Sequence, residues 1–344
     1  MTRALGRTIA GAALLCLAAA PAVPQNPSRR PVATYSIVAR DSATGEIGVA
    51  VQSHWFSVGS AVPWAEAGVG AVATQSFTDP SYGALGLELI RAGKTAPEAL
   101  RGLIAADPDS AVRQVAMIDA RGRVAAFTGK RAIVAAGHRV GNGYSVQANL
   151  MDKPSVWPAM ARAFEQAKGD LAERMLQALE AAEGEGGDIR GRQSAAILVV
   201  AGAATGPPWA DRVVDLRVED HPAPLVELRR LVTLSRLYRR MNEGDDWTTK
   251  GDMAKAVTAY NEATGLLPDS ATNGEAVFWT GISLASARRD RDAIPYLARA
   301  YAVHPAWADL VPRLPGAGLL PKDSALVDRL VTGMRSARPP RRGS

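Results

Sequence analysis

TYSIVARDSATGEIGVAVQS, residues 34–53, is the stretch of sequence that decides the fold. It contains two strand-like runs, 34–39 and 46–53, which are joined by a turn through residues 41–45. Apolar side chains, glycine and alanine occupy both faces of each run, a pattern typical of strands that are covered on both sides. The stretch therefore predicts a β-hairpin whose two faces both pack against other parts of the protein.

Beyond the hairpin, runs of strands alternate with pairs of helices. The second predicted helix opens with Thr95-Ala96-Pro97-Glu98, which has the pattern of a capping box. The other predicted elements are strands at 69–75, 114–119, 124–128, 144–149, 194–200 and 212–218 and helices at 82–92, 155–166 and 171–182. Hairpins joined by helix pairs favour antiparallel sheets over a doubly wound parallel sheet. The sequence predicts an α+β protein with the four-layer order αββα.

A helical region follows the predicted sandwich domain of residues 34–240. Its predicted helices lie at 225–241, 252–266, 275–288 and 292–303. Ala263 and Pro268 recur as Ala300 and Pro305, a spacing close to the tetratricopeptide period. Residues 241–310 resemble about two such repeats, which are too few to be stable alone and are expected to dock on the sandwich. Residues 311–344 are predicted to be a mobile Pro/Arg-rich tail.

The first 22 residues have the pattern of an export signal. Arg3 and Arg7 precede an apolar run at 9–20, and Ala20-Pro21-Ala22 provides a small-x-small cleavage site. Cys16, the single cysteine, lies inside this segment, so the mature chain is expected to contain no disulfide and no thiol nucleophile. The sequence predicts a periplasmic or secreted protein without a transmembrane anchor, in which residues 23–33 form a linker or propeptide.

Charge argues against nucleic acid as a partner. The 344 residues carry a net charge of +6, but residues 1–33 and residues 335–344 each hold four arginines and no acid. Without these two ends, residues 34–334 carry a net charge of −2. A protein that binds nucleic acid needs its excess cations on the folded surface, so this partner is excluded.

Six strings, in this order, resemble one known family, domain-of-unknown-function family 1028. The strings are TYSIVA at 34–39, GVGAVATQ at 68–75, GRVAAFTG at 122–129, YSVQAN at 144–149, RGRQSAA at 190–196 and VDLRVEDHP at 214–222. The resemblance covers about residues 34–240. It implies membership of the N-terminal-nucleophile (Ntn) hydrolase superfamily and an αββα sandwich, which agrees with the predicted order of elements, but it implies no substrate.

The resemblance also implies a nucleophile at the start of the first strand. Ntn hydrolases use a Thr, Ser or Cys whose free α-amine accepts the proton of its own side chain. Without cysteine, the candidate is Thr34. The predicted signal cut leaves Val23 first, eleven residues earlier, and Pro31 disfavours a direct cut before Thr34. Thr34 therefore needs autoproteolysis, trimming or an atypical signal cut; otherwise it is an ordinary β-branched strand residue.

Other candidate catalytic residues end the predicted strands near Thr34. Ser53 is expected to orient the attacking group, and Gln75 or Asn149 to donate an amide hydrogen bond to an oxyanion. His54 and Ser76, which directly follow two of these residues, are candidates for substrate binding. The alternative for Ser53 is a structural role in a turn.

Arg192 and Gln193 complete the candidate site. They lie in the run RGRQS at 190–194, just before a very apolar strand, where their side chains suit recognition of a carboxylate or an amide. The alternative is that these arginines neutralise Asp188 or Asp215 in a structural ion pair. The four histidines are far apart, and no phosphate loop, dinucleotide fingerprint or GxSxG motif occurs, so neither a metal nor a cofactor is predicted. The glycine-rich segment 137–143 is predicted to be a mobile loop.

Two functions remain open at the level of sequence. The first is an exported Ntn-type hydrolase that cleaves C–N amide bonds in a small or peptide-like substrate. The second is a non-catalytic envelope protein or peptide-binding module that binds a protein or cell-envelope partner through its helical repeats. A homo-oligomer is compatible with either function.

Overall fold

The structure, a computed structural model, describes Val32 and residues 34–336. The predicted signal segment with Cys16, nearly all of the predicted linker and the last eight residues lie outside this range. The described residues form two antiparallel sheets and ten helices. The strands are β1 Thr34–Arg40, β2 Ile47–Ser53, β3 Pro63–Glu66, β4 Gly70–Ser76, β5 Arg113–Asp119, β6 Val124–Thr128, β7 Gly137–Gly141, β8 Tyr144–Ala148, β9 Ser194–Val200 and β10 Arg212–Val218. The helices are α1 Ser81–Arg91, α2 Ala96–Ala106, α3 Val156–Gln166, α4 Leu171–Gly184, α5 Pro224–Thr249, α6 Met253–Gly265, α7 Glu275–Ser286, α8 Asp290–Val303, α9 Trp307–Leu310 and α10 Ser324–Ser336.

The hairpin predicted from residues 34–53 forms the centre of a six-stranded sheet. The strand order is β10-β9-β2-β1-β8-β7, and Thr34 at one end of β1 pairs with Ser53 at the end of β2. The second sheet has four strands in the order β3-β4-β5-β6. Both sheets are antiparallel throughout, which confirms this part of the prediction.

The two sheets face each other, and helices cover their outer faces. β1 and β2 contact β4, α1 and α2 contact the four-stranded sheet, and α3 and α4 contact the six-stranded sheet. Strand alternation explains why both faces of β1 are apolar. Val38 points into the core between the sheets, whereas Ile37 and Ala39 point into the core beneath α3 and α4. The capping box predicted at Thr95 and Glu98 is present at the start of α2.

The helical region is continuous with the sheets through α5. This helix has 26 residues and spans residue 240, where the sequence analysis placed the domain boundary. Arg236 on α5 forms ion pairs with Asp170 and Glu173 at the start of α4, at 2.7 and 3.0 Å. α5 packs on α6, α7 on α8, and α10 on α8. The helical region therefore docks on the rest of the protein, as expected for a segment of this size.

Two local predictions are wrong. The supposedly mobile tail contains α10, in which Leu326, Leu330 and Met334 are fully buried because they recur every four residues on one helix face. The supposed loop at 137–143 contains the edge strand β7, which pairs with β8 and turns at Gly143, where φ is +72°. Among the described residues, no helix is long and apolar enough to cross a membrane.

Candidate active site between the sheets

Thr34 and Ser53 are paired residues of β1 and β2, and their side chains point between the two sheets. The Thr34 hydroxyl oxygen Oγ1 lies 3.2 Å from Ser53 Oγ and donates a 2.7 Å hydrogen bond to the carbonyl oxygen of Val32. Both side chains are fully buried. Thr34 is therefore within hydrogen-bonding distance of a second hydroxyl, and the residue two positions before it in the chain covers it.

Gln75, at the end of β4, connects the four-stranded sheet to Thr34. Its Nε2 donates to the Thr34 carbonyl oxygen at 3.2 Å and to Gln114 Oε1 at 2.7 Å. Its Oε1 accepts a 2.6 Å hydrogen bond from Ser36 Oγ. Ser36 is two residues after Thr34 on β1, so its side chain lies on the same face of the strand. Gln75 is fully buried, so these partners replace the water that its amide loses on folding.

Asn149, immediately after β8, approaches the same carbonyl group. Its Nδ2 donates to Gln114 Oε1 at 2.9 Å and lies 3.5 Å from the Thr34 carbonyl oxygen. Its Oδ1 is buried and has no hydrogen-bond partner among the described residues. Two amide groups from different sheets thus surround the backbone of Thr34, and one of them retains an unused acceptor.

The four predicted catalytic residues therefore come together, but three members of the same polar network were missed. Ser36, Gln114 and Gln147 are fully buried, and Gln147 Nε2 donates to Ser36 Oγ at 2.6 Å. The signal was present in the sequence, because each is a polar residue at an inward position of an otherwise apolar strand. Gln114 on β5 is the strand partner of Gln75 on β4, within the four-stranded sheet. Sequence alone does not give the packing of the two sheets against each other, and this packing is what brings Gln114 to Asn149.

Ser76 holds the segment that precedes Thr34. Its backbone forms an antiparallel bridge with Val32: the Val32 amide donates to the Ser76 carbonyl at 2.7 Å, and the Ser76 amide donates to the Val32 carbonyl at 3.0 Å. Ser76 has a φ of +70°, a left-handed conformation that is costly for a residue with a side chain. Its hydroxyl is fully buried and has no partner among the described residues.

Ion pairs lie beside this network. The carboxylate of Asp188 accepts the backbone amide of His54 at 3.0 Å and the guanidinium of Arg190 at 2.8 Å, so it ties the residue after Ser53 to the 188–194 segment. His54 is exposed, and its Nδ1 lies 3.3 Å from the carbonyl oxygen of Arg192. Arg190 thus forms the structural pair that the sequence left open.

Arg192 pairs with neither of the acids considered for it. Its guanidinium binds Glu183, whose other carboxylate oxygen accepts the Tyr35 hydroxyl. Burial, together with the negative charge of Glu183, raises the pKa of Tyr35 well above its usual value, so this phenol stays protonated. Gln193 lies apart from Thr34 and donates to Asp220 at 3.3 Å.

Among the described residues, every side chain that forms a hydrogen bond with Thr34 is neutral. The network consists of hydroxyl and carboxamide groups, which donate and accept hydrogen bonds without titrating near neutral pH. Such groups can orient a nucleophile and stabilise an oxyanion, but a proton acceptor has to come from elsewhere. Within the described residues, no three His, Cys, Asp or Glu side chains are grouped as a metal site would require.

The comparisons with known proteins identify a family but no activity. The model of a family of unknown function, DUF1028, matches residues 34–228. The crystal structure of a Silicibacter pomeroyi protein described as DUF1028 is 32% identical, with a TM-score of 0.52, and the match covers 58% of this chain and 84% of that one. No curated protein matches the chain. The family match includes every candidate site residue described above.

Proposed function

The chain belongs to the family of unknown function DUF1028, and from this premise and the geometry around Thr34 we propose that it is a hydrolase of C–N amide bonds with Thr34 as nucleophile. We assign the packing of its two sheets and outer helices to the αββα sandwich of the Ntn-hydrolase superfamily. In this proposal, residues 241–310 form a tetratricopeptide-like helical region. The protein acts in the periplasm or outside the cell after its leader is removed.

The observation that carries the proposal is the placement of Thr34. The core between the two sheets is mostly apolar, with Val38, Val49 and Ala73 among its residues, and its polar side chains are concentrated towards the end where Thr34 lies. Buried polar groups cost stability unless every one is satisfied, so a fold without chemistry gains nothing from them here. Hydroxyl and amide groups around one threonine are the groups that acyl transfer needs.

In the proposed reaction, Thr34 begins the mature chain and its free α-amine is the base. The Thr34 Oγ adds to the substrate carbonyl carbon, and its proton passes to the α-amine and then to the leaving nitrogen as the C–N bond breaks. Water then cleaves the resulting ester, giving a carboxylic acid and restoring the hydroxyl and the neutral amine. Ser53, at 3.2 Å, orients the nucleophile, and Gln75 and Asn149 hold its backbone and supply amide dipoles.

One observation favours the alternative, a silent sandwich that acts as a binding module. In the chain as it stands, Thr34 is joined through its nitrogen to the preceding residues, and Val32 lies over its hydroxyl. A protein that keeps these residues has no free α-amine and no access to Thr34. It would then bind a protein or envelope partner through its helical region.

The mature N-terminus and a threonine variant pair distinguish the two functions. We expect mass spectrometry of the protein recovered from its source to give Thr34 as the first residue. A β-lactone probe should acylate this form once, at Thr34; Thr34→Ser should retain labelling, and Thr34→Ala should lose it. Residues retained ahead of Thr34 in a form that still turns over substrate would refute the proposed mechanism, as would equal labelling of Thr34→Ala.

A further inference from the structure

Val32 pairs with the backbone of Ser76 in the way that one residue of a bound peptide pairs with a strand. Its amide and its carbonyl both pair with the backbone of Ser76, and the same carbonyl also accepts the hydroxyl of Thr34 at 2.7 Å. Its side chain is 5% exposed and belongs to the core cluster that includes Val58 and Val62. One residue thus makes three hydrogen bonds and fills an apolar position beside the candidate nucleophile.

Removing the residues ahead of Thr34 leaves these groups without their partners. The amide and carbonyl of Ser76 and the apolar position between the sheets would all lose the group that now occupies them. The Ser76 hydroxyl and Asn149 Oδ1, both buried, already lack partners among the described residues. A single residue in an extended peptide supplies the amide, carbonyl and side chain at the spacing that Val32 has.

We propose that this site binds an extended peptide, with one small apolar residue paired to Ser76 in the position of Val32. Main-chain hydrogen bonds provide the affinity and the side-chain position provides the selectivity, as in other cases where a peptide pairs with the backbone of a sheet. The catalytic meaning of this inference rests on the function proposed above, since the peptide carbonyl in the position of the Val32 carbonyl lies 2.7 Å from Thr34 Oγ1. The binding itself does not require catalysis.

Charge limits the peptide at this position. In the part of the chain that the structure describes, the side chains bonded to Thr34 are neutral, and the neighbouring Asp188 and Glu183 are already paired with Arg190 and Arg192. A charged side chain in the position of Val32 would enter an apolar cluster without a counter-ion, which is unfavourable. Small apolar residues such as valine are therefore the class expected here, and aspartate or lysine should be rejected.

The test uses the full chain in its uncleaved form, which retains the residues ahead of Thr34 and is the natural chain of this comparison, and a peptide copied from residues 30–33. Val32→Asp should release the segment from its apolar position, whereas Val32→Ala, the matched control, should keep it in place. A fluorescent acetyl-Arg-Pro-Val-Ala amide should bind Val32→Asp at least tenfold more tightly than the natural chain or Val32→Ala, about 1.4 kcal/mol. Methylating the valine nitrogen removes the donor to the Ser76 carbonyl and should weaken binding at least tenfold.

Hydrogen exchange of the Ser76 amide is a second measurement that does not depend on the label. Exchange should be slow in the natural chain, faster in Val32→Asp and slow again when the peptide is added, while the far-UV circular dichroism spectrum stays unchanged. Equal binding by Val32→Asp and the natural chain, or equal binding of methylated and unmethylated peptide, overturns the inference. If Val32→Asp does not fold, the same peptide titration is carried out with Val32→Lys, for which the same results are expected.

The two proposals fail in different ways. If the peptide binds and slows exchange of the Ser76 amide but the protein hydrolyses no amide bond, the peptide site is supported and the proposed hydrolase function is refuted. Hydrolysis that depends on Thr34 but not on the valine N–H of the peptide keeps the hydrolase and removes the pairing with Ser76.

Discussion

Gln114→Ala tests whether the polar network supports the fold at the site. Gln114 Oε1 accepts from Gln75 and Asn149 at 2.7 and 2.9 Å, and its Nε2 donates to the Ala148 carbonyl at 2.9 Å. Without it, Gln75 retains two other acceptors, but the nearest remaining acceptor of the Asn149 amide is the Thr34 carbonyl, at 3.5 Å. The substitution therefore leaves a buried donor nearly unpaired and a cavity where a fully buried side chain was.

The expected loss follows from these two terms. An unpaired buried donor costs about 1–3 kcal/mol, and the cavity left by the missing amide adds on the order of 1–2 kcal/mol. The free energy of unfolding should therefore fall by about 2–5 kcal/mol, measured by urea unfolding with an unchanged m-value. Gln177→Ala is the matched control, because the one described partner of the Gln177 amide is Glu173, on the partly exposed face of α4. This substitution should change the free energy of unfolding by about 0.5 kcal/mol or less.

A double-mutant cycle shows whether the loss arises from the network. Asn149→Ala removes the donor that Gln114→Ala leaves unpaired, so the double variant should be more stable than the sum of the single losses predicts, by about 0.5–3 kcal/mol. Losses that add to within about 0.3 kcal/mol, or a Gln114→Ala loss no greater than that of Gln177→Ala, would refute the reasoning.

Two further predictions concern the rest of the fold. Burial raises the pKa of Asp170, but hydrogen bonds from Arg236 and from the Glu173 amide outweigh burial and lower this pKa to about 2. The ionised carboxylate therefore stabilises the folded state above its unfolded pKa, and this stabilisation is lost as the pH falls from about 4 to 2. Asp170 is the N-cap residue of α4, and Asp170→Asn keeps a side-chain oxygen that can accept the Glu173 amide. The variant should flatten the loss of stability over this pH range in urea unfolding; an unchanged profile would contradict the assignment. Gly83→Ala places a Cβ atom 2.3 Å from the Trp64 ring and should lower the free energy of unfolding by about 1–3 kcal/mol, whereas Gly102→Ala, with no atom within 4 Å, should raise it by about 0.5–1 kcal/mol. Thermal unfolding checks this pair, and shifts of the same sign would contradict it.

Sequence patterns predicted those elements that local chemistry determines. Two runs with apolar residues, glycine and alanine on both faces, joined by a turn, predicted the hairpin of β1 and β2, and the capping box at Thr95 predicted the start of α2. The same rules did not predict α10, although Leu326, Leu330 and Met334 have the spacing of one helix face. This short helix lies between proline- and arginine-rich residues, a composition that is more typical of a tail.

The site was harder to predict because it depends on two sheets. Thr34, Ser53, Gln75 and Asn149 were recognised as ends of strands, but nothing in the chain says that β4 lies over β1. Gln114 is the clearest example, since it bonds Gln75 in its own sheet and also Asn149, 35 positions away, which follows a strand of the other sheet. Val32 was missed for a different reason: a single apolar residue in a proline-rich segment carries no period, and its pairing with Ser76 is visible only in three dimensions.

The core between the sheets is divided into two parts with different roles. From Val38 and Val49 towards Ile47 and Ile118 it is apolar, and burying such side chains contributes about 1.5–3 kcal/mol each, which is sufficient to hold the sheets together. The polar part contributes little net stability, since each hydrogen bond there replaces one to water. It also carries costs that packing does not explain, namely the left-handed backbone of Ser76 and the unpaired Oδ1 of Asn149. Backbone strain and unpaired buried groups of this kind are concentrated at functional sites. Their presence at the end of the core beside Thr34 and Val32 therefore supports the proposed active site there, which the apolar part of the core holds in place.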